Sequence, residues 1–294
     1  MKQIILGTDW WTDCDDAVAL RLLCRAHKAG EIDFKGIIIN ACMEHSVASM
    51  KYFLKAENME NLPVGIDLEA TDFLGIPSYQ KGLAALDTPI ANESAENGVR
   101  LYRRLLAEVS ERVEIIEIGF MNVVAALLSS EADDISPLTG FELVREKVAK
   151  FWVMAGKWDE NPGSEHNFNL NPRAREAAHA FCKDCPVPVT FLGFEVGVSV
   201  ITGGDLPEGD VLHQVLVDHG SAKGRSSWDP MTALLAVIGD EETAGYKVVC
   251  GTASVDPATG ENYFVKSEQG THTYVIKQFE DAYYAEAINR RING

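Results

Sequence analysis

Short apolar runs alternate with longer amphipathic stretches along the chain. The runs are rich in isoleucine and valine, and the stretches between them carry apolar residues at helical spacing. Continuous apolar strands separated by amphipathic helices are typical of a parallel sheet covered by helices on both faces. The pattern therefore predicts a doubly wound α/β fold with a mainly parallel, open sheet. Its strands are expected at residues 3–6, 36–39, 114–118, 151–154 and 187–192, and its clearest helices at residues 16–28, 94–111 and 172–182.

The chain from about residue 240 onward has a different pattern. It contains the strand-like pieces YKVVC and TYVIK and a final helical stretch, DAYYAEAINRRI. We expect these elements to close the edge of the same unit. Because no internal repeat, low-complexity tract or flexible linker marks a boundary, we predict one domain over residues 1–294.

Composition narrows the classes of function. The formal net charge is −18, and no cluster of lysine and arginine offers a surface for a phosphate backbone, so nucleic-acid binding is not expected. No apolar run approaches the roughly 18 residues that cross a bilayer, and the first run is too short for a secretory signal. We therefore expect a cytoplasmic protein without a membrane partner. Its six cysteines would stay reduced there, and the pair Cys182 and Cys185 lacks the second ligand pair of a zinc site.

Four aspartates cluster directly after the first apolar run, where a parallel sheet binds its ligands. A carboxylate at a helix N-terminus serves as a cap, but several crowded carboxylates repel one another and need a cation. Hard oxygen ligands on a loop suit Ca²⁺ better than Mg²⁺. The alternative is that Asp15 only caps the helix and the others are solvated. The four residues are Asp9, Asp13, Asp15 and Asp16.

Two more polar segments lie far away in the sequence. Asp229 precedes a proline that suits the first turn of an apolar helix, and capping alone would explain it. Residues 163–172 bring one acid and three amides together, a set that can bind sugar hydroxyls or form an ordinary polar loop. Neither segment identifies a function by itself.

Taken in chain order, these segments resemble the nucleoside hydrolase family. Its opening signature is an apolar strand followed by Asp-Thr-Asp, a short turn and Asp-Asp-Ala. The resemblance implies a nucleoside hydrolase fold, which is Rossmann-like, and calcium-dependent hydrolysis of the N-glycosidic bond of a riboside substrate. It also implies a homo-oligomer, either a dimer or a tetramer. The matching segments are the aspartate loop, the turn at residues 119–122, Glu165-x-Asn167 with Asn171-Pro172, and Trp228-Asp229-Pro230.

The resemblance also implies a role for individual residues. Asp9 would be the general base that accepts a proton from the attacking water, and it would bind the ion as well. Asp15 would face the attacking water and the ribose hydroxyls. Glu165 and Asn167 would bind the ribose hydroxyls. The implied calcium ligands are Asp9, Asp16, the main-chain carbonyl of Met121, and Asp229.

This sequence departs from the family pattern at several positions. Five residues separate Asp9 from Asp15 where the signature leaves three, and the turn at residues 119–122 is one residue shorter than usual. Gly7 stands in place of the first aspartate of the signature. Lys157 stands in place of an amide, and it could bind a sugar hydroxyl or attract an anion.

The departure with the largest consequence is Trp228, which stands where the family places a histidine that protonates the leaving base. An indole is no acid near neutral pH, but it can stack on a flat base. Another donor would then be His45 or His166, unless the leaving group needs none. Three further tryptophans in the predicted site loops could stack on the base or pack in the core: Trp10, Trp11 and Trp158.

Two other functions compete with hydrolysis. A haloacid-dehalogenase-like phosphatase also places aspartates after its first strand, but it needs two of them two residues apart, and Trp11 occupies the second position after Asp9. A non-catalytic or weakly active calcium-dependent riboside binder would explain the loss of the acid at Trp228. Ribose release from ribosides separates these functions.

Overall fold

The computed structural model describes residues 1–88 and 90–293. Each predicted apolar run forms a strand. The strands are Lys2–Thr8 (β1), Ile32–Ile39 (β2), Val64–Ile66 (β3), Glu96–Asn97 (β4), Val113–Glu117 (β5), Val148–Met154 (β6), Val189–Leu192 (β7), Ile201–Thr202 (β8), Arg225–Ser226 (β9), Tyr246–Val255 (β10), Asn262–Lys266 (β11) and His272–Lys277 (β12).

Helices separate the strands, as the sequence pattern predicts. They are Asp15–Lys28 (α1), Ser46–Ala56 (α2), Gln80–Ala84 (α3), Gly98–Glu108 (α4), Asn122–Ser129 (α5), Gly140–Lys147 (α6), His166–Asn169 (α7), Pro172–Asp184 (α8), Phe194–Gly197 (α9), Val211–His219 (α10), Trp228–Ile238 (α11) and Asp281–Asn293 (α12), with a 3₁₀ turn at Asn92–Ser94.

Within the described residues, ten strands form one sheet in the order β11-β10-β12-β7-β6-β5-β1-β2-β3-β4. The eight strands from β12 to β4 in this order pair in parallel, while β10 pairs antiparallel with β11 and β12. Strand β1 lies in the middle, with Gly7 opposite Ile38 on one side and Glu117 on the other. The prediction of a doubly wound, mainly parallel sheet is confirmed, and the chain beyond residue 240 forms one edge of this sheet.

Helices cover both faces of the sheet. On one face, the apolar sides of α1, α11 and α12 bury residues such as Leu22, Leu235 and Ile288. On the other face, α4, α5 and α8 bury residues such as Leu105 and Phe181. Burial at this density leaves the carboxyl ends of the central strands as the place where polar side chains can meet.

Some element boundaries differ from the predicted ones. The helix expected at residues 94–111 begins at Gly98, because Glu96 and Asn97 pair with β3. The Asn97 side chain caps this helix by accepting the backbone N–H groups of Val99 at 3.0 Å and Arg100 at 3.2 Å. Strand β7 begins at Val189, directly after a proline that has no N–H to donate.

Two smaller observations concern the membrane and the cysteines. None of the helices in residues 1–88 and 90–293 has the length and hydropathy required to cross a membrane. Cys182 is buried near the end of α8 and packs in the core.

Candidate active site

A cavity of about 250 Å³ opens at the carboxyl ends of the central strands. It is bounded by the loop between β1 and α1, the segment around α7, and the first turn of α11. These segments lie far apart in the sequence, and the parallel sheet brings them together. Most of the predicted site residues line it: Asp9, Asp15, Asp16, Glu165, Asn167, Trp228 and Asp229.

A cluster of buried carboxylates forms the floor of the cavity. Asp15, Asp16 and Asp229 each place a carboxylate oxygen within 4.8 Å of the other two. The first two begin α1, and Asp229 lies in the first turn of α11, which packs against α1. The backbone N–H of Asp229 donates to Asp15 Oδ2 at 3.1 Å. Two helix N-termini therefore direct their acidic residues at one point.

The electrostatics of this cluster favour a cation. Burial, together with repulsion between the neighbouring aspartates, raises the pKa of Asp15 and Asp229 well above the ordinary range and that of Asp16 to about 6. Within residues 1–88 and 90–293 the ion pair of this loop joins Arg225 to Asp13 at 2.6 Å, and the three clustered carboxylates form none. Buried, mutually repelling carboxylates are the donor set that a hard divalent cation binds.

Asp9 lies beside the cluster at the end of β1. Burial and the negative charge of Asp16 raise its pKa well above the ordinary range, and the two carboxyl groups are hydrogen-bonded to each other. The chain then turns sharply at Trp10, whose φ of 46° lies in the left-handed region. The Trp10 N–H donates to Thr8 Oγ1 at 3.1 Å and to Asp16 Oδ1 at 3.2 Å, which holds this turn.

The predicted ligand set and the observed cluster differ in two respects. The resemblance assigns Asp15 to the ribose, yet Asp15 rather than Asp9 completes the group of three carboxylates whose oxygens all lie within 4.8 Å of one another. Met121 is buried just before α5, where its carbonyl accepts the N–H of Ala125 at 2.8 Å, and it does not line the cavity. That carbonyl keeps one lone pair, so a metal contact from Met121 stays a prediction.

Glu165 and Asn167 are fixed by backbone hydrogen bonds. The Glu165 carboxylate accepts the N–H groups of Gly156 and Asn167, each at 2.9 Å, and burial raises its pKa to about 7. The Asn167 amide nitrogen donates to the carbonyls of Met154 at 2.9 Å and Ile118 at 3.2 Å. Because its nitrogen is used in this way, Asn167 presents its amide oxygen as the atom available to a ligand.

Lys157 is not brought to the cavity. Its ammonium contacts Asp159 at 2.8 Å and Glu160 at 2.6 Å, two acids that follow it in the same loop. Its side chain is therefore directed to the loop's own carboxylates, and it does not join the residues that line the cavity.

Aromatic rings make up a second part of the cavity lining, here called the aromatic end. Trp228 stacks on Phe194 with ring centroids 5.5 Å apart, and its indole N–H donates to the Phe194 carbonyl at 2.8 Å. Trp11 stacks on His166 with centroids 5.8 Å apart. All four rings line the cavity, and burial lowers the pKa of His166 below its ordinary value.

The other aromatic candidates lie elsewhere. Trp10 is buried among core residues and donates to Ser49 Oγ at 2.9 Å. Trp158 packs in the other core cluster and donates to the Ala155 carbonyl at 3.0 Å. His45 precedes α2 beside Glu44, outside the cavity lining. Of the two candidate histidines, the structure therefore brings His166 to the cavity.

Sequence reasoning missed several residues at this site. Phe194 and Asn40 both follow strands closely, so the rule that identified Asp9 could also have found them. Arg225 gives no such signal, because its partner Asp13 is remote in sequence. Its guanidinium lies 5.3 Å from the centre of the Trp228 ring and links the aspartate loop to the aromatic end.

Comparisons with known proteins agree on the fold. No protein-family model matches the chain, and no curated protein matches it in sequence. Three similar solved structures are a purine-preferring ribonucleoside hydrolase from Gardnerella vaginalis (17% identity, TM-score 0.75, covering 100% of this chain and 98% of that chain), a plant nucleoside hydrolase (15%, 0.73, 100% and 99%), and an inosine-uridine preferring nucleoside hydrolase from Bacillus anthracis (15%, 0.70, 100% and 99%).

The whole chain is covered in each of these comparisons, while the identity stays below one residue in five. The chain therefore has the nucleoside hydrolase fold, as the sequence resemblance implies, in a divergent form.

Proposed function

We propose that this protein hydrolyses the N-glycosidic bond of ribonucleosides in a calcium-dependent reaction, giving ribose and the free base. The observation that carries the proposal is the group of buried carboxylates at the cavity floor, which occurs on a nucleoside hydrolase fold. The enzyme class is N-glycosyl hydrolase.

The ion would be held by Asp9, Asp16 and Asp229, with Asp15 close by and the Met121 carbonyl as a main-chain ligand. The fit rests on the repulsion that raises the pKa of the buried aspartates, because a divalent cation relieves it. Their oxygens are the donor type that calcium prefers. When bound, calcium supplies positive charge that lowers the pKa of a nearby water molecule.

The chain's own residues perform the remaining steps. Asp9 accepts the proton of the attacking water, and the water adds directly to the ribose without a covalent intermediate. Glu165, the amide oxygen of Asn167 and Asp15 bind the ribose hydroxyls. Cleavage develops positive charge on the ribose ring, and the surrounding carboxylates stabilise it.

The aromatic end of the cavity takes the base. Trp228 and Trp11 offer flat faces for stacking, but neither indole donates a proton to a leaving group. His166 lines the same cavity, and its lowered pKa leaves it neutral at pH 7. The rate at which the base departs then depends mainly on how stable the base is once it is released without a proton from the protein.

The proposal extends to the setting of the enzyme. The ligand is a small riboside rather than a nucleic acid, because the net charge of −18 repels phosphates. One domain over residues 1–294 is supported by the ten-stranded sheet, which joins β1 to β7 with β10 to β12 from the later part of the chain. A cytoplasmic homo-oligomer, dimeric or tetrameric, completes the proposal.

A panel of ribosides tests the function. Each compound is incubated with the protein and Ca²⁺, and free ribose is measured with and without a chelator. We expect ribose release that the chelator abolishes. Asp229→Asn keeps the shape of the side chain and removes one negative charge from the cluster. Ribose release by this variant should therefore respond much less to Ca²⁺ than release by the wild type.

The two competing functions give different results in the same assay. A calcium-dependent riboside binder would bind the panel and release no ribose. A phosphatase would release phosphate from phosphomonoesters and leave the ribosides intact. Either result would reverse the proposal.

A further inference from the structure

A buried glutamate lies directly behind the aspartate loop. Glu117 ends β5 opposite Gly7 in the β1–β5 pairing, and its side chain is fully buried. Its carboxylate covers Gly7 so closely that a Cβ at position 7 would overlap it. Glu117 forms no ion pair in the described part of the chain, although an unpaired buried carboxylate is costly.

The partners of Glu117 lead to the site. Its Oε1 accepts the Asn40 amide N–H at 2.8 Å and the Gly119 backbone N–H at 3.4 Å, while Oε2 lies 3.4 Å from the Tyr102 hydroxyl. Burial raises the pKa of Glu117 to about 8, so the group carries a proton at neutral pH. A protonated carboxyl has one acceptor oxygen and one donor, as a glutamine amide does.

Asn40 transfers this anchoring to the turn between β5 and α5. Its amide oxygen accepts the Phe120 N–H at 3.0 Å, and its carbonyl accepts the Asn122 amide at 3.0 Å. Its own N–H donates to the Thr8 carbonyl at 2.9 Å, one residue before Asp9. One asparagine therefore joins the turn at residues 119–122 to the end of β1.

The same turn presses against Asp9. Gly119 lies so close that a Cβ there would overlap the Asp9 backbone nitrogen. The Ile118 N–H donates to the Gly7 carbonyl at 3.0 Å. The position of the turn thus fixes the position of the residue that we propose as the general base.

We infer that Glu117 is a positioning residue of the active site. Its carboxyl, seated over Gly7, holds Asn40 and the turn at residues 119–122 against Asp9. Gly7 leaves the space for this carboxyl, at the position where the family signature has its own aspartate. The catalytic part of this inference rests on the proposed function.

The first test compares Glu117→Ala with Glu117→Gln in the full-length protein. Loss of a group that supports a catalytic or metal-binding residue typically costs about 10- to 100-fold in activity or metal affinity. We expect this loss in kcat and in calcium affinity for the alanine variant, with KM nearly unchanged. Glutamine should restore both to near wild type, because it keeps the hydrogen bonds to Asn40 and Gly119.

A double-mutant cycle adds a readout that does not depend on turnover. Gly7→Ala should displace the carboxyl in the wild type, yet have little effect in a Glu117→Ala background, where its methyl group refills the space. The melting temperatures of the four proteins in a chelator should therefore be strongly non-additive. If Glu117→Ala alone fails to fold, recovery of folding in the double variant supports the inference.

Three outcomes would overturn the inference: an alanine variant with wild-type kcat and calcium affinity, a glutamine variant as impaired as alanine, or additive melting temperatures. A different result would overturn the proposed function, namely a wild-type protein that releases no ribose. Calcium affinity and the double-mutant cycle still decide the role of Glu117 in that case.

Discussion

The two ends of the cavity are built on different principles. At the floor, Asp15, Asp16 and Asp229 are held in mutual repulsion by the starts of two helices. At the aromatic end, Trp228 stacks on Phe194, and the Trp228 indole N–H is satisfied by the Phe194 carbonyl. The floor is costly unless a ligand is bound, whereas the Trp228–Phe194 pair is satisfied without one.

This difference separates the carboxylates that binding of a cation requires from the aromatic residues that other residue types can replace. A floor of repelling carboxylates keeps its residue types, because each substitution changes the charge that the ion neutralises. Stacking rings can be exchanged at the cost of packing alone. The family signature is accordingly matched at Asp15, Asp16 and Asp229, and the departure with the largest consequence, Trp228, lies at the aromatic end.

The largest effect is expected at the floor, from Asp9→Asn. The amide still offers an oxygen to the ion but cannot accept the proton of the water, and loss of a general base costs about 10² to 10⁴ in rate. Steady-state kinetics should show a fall in kcat of this size with riboside binding largely kept.

Asp13→Asn is the matched control, because it makes the same change in the same loop. Asp13 is paired with Arg225, and we expect its substitution to lower kcat less than tenfold. An Asp9→Asn variant with near wild-type kcat would remove Asp9 from the role of base.

The second prediction concerns calcium and stability. An ion that binds only the folded state stabilises it by about 2.7 kcal/mol when present at 100 times its Kd. For a chain of this size that corresponds to about 5–10 °C in melting temperature. Differential scanning calorimetry should show this shift between chelator and calcium, and Asp229→Asn should lose most of it.

A crystal grown in millimolar calcium offers a direct check of the same cluster. Density for an ion among Asp9, Asp16 and Asp229 is expected. A metal-free site in which these carboxylates point apart would contradict the prediction.

A smaller effect is expected at the aromatic end, from Trp228→Ala. Stacking of a base on an aromatic side chain is worth roughly 1–3 kcal/mol. Loss of the ring should therefore raise KM for ribosides with flat aglycones by about 5- to 100-fold, with kcat less affected. Trp228→Phe keeps an aromatic face and should retain most of the affinity.

The leaving group sharpens the same prediction. Because no acid is placed at Trp228, a nitrophenyl riboside should be cleaved much faster than inosine or uridine. Trp228→His should raise kcat on these poor leaving groups by supplying a donor. Equal wild-type rates on both substrate types would instead mean that another residue protonates the leaving base, and His166, which lines the cavity, would be the first to substitute.

The central fold could be predicted because its signals are local. Apolar runs mark β1, β2, β5, β6 and β7, and the rule that ligands bind beyond strand ends leads directly to Asp9 and the neighbouring aspartates. The prediction that Asp229 lies close to the aspartates of α1 was based on the family resemblance. Periodicity alone could not give it, since the two lie on distant helices.

Other features depend on contacts that periodicity does not encode. Lys157 turns away because two acids follow it in its own loop, and Asp13 finds its partner Arg225 only in the folded chain. The match between Gly7 and Glu117 requires knowing that β1 and β5 are neighbours. One indication of Glu117 was present in the sequence, since it is one of two glutamates in the predicted strand at residues 114–118.

The last prediction concerns pH and Glu117, which lies behind the aspartate loop. Its pKa is about 8 in the folded protein against an ordinary value of 4.5, so between these values the folded state holds a proton that the unfolded state has lost. Stability from this group is therefore lost as pH rises from 4.5 to 8.

The titratable groups that act on Glu117 are Tyr102, whose own pKa is raised by burial, and Asp16. Glu117→Gln stays neutral throughout, so in a chelator its melting temperature should equal that of wild type near pH 4.5 and exceed it by roughly 10 °C at pH 8. Other buried acids with raised pKa values, such as Glu165 and Glu195, titrate equally in both proteins and cancel in the difference. A difference that does not change between pH 4.5 and 8 would mean that Glu117 is ionised in the folded protein and that glutamine does not mimic it.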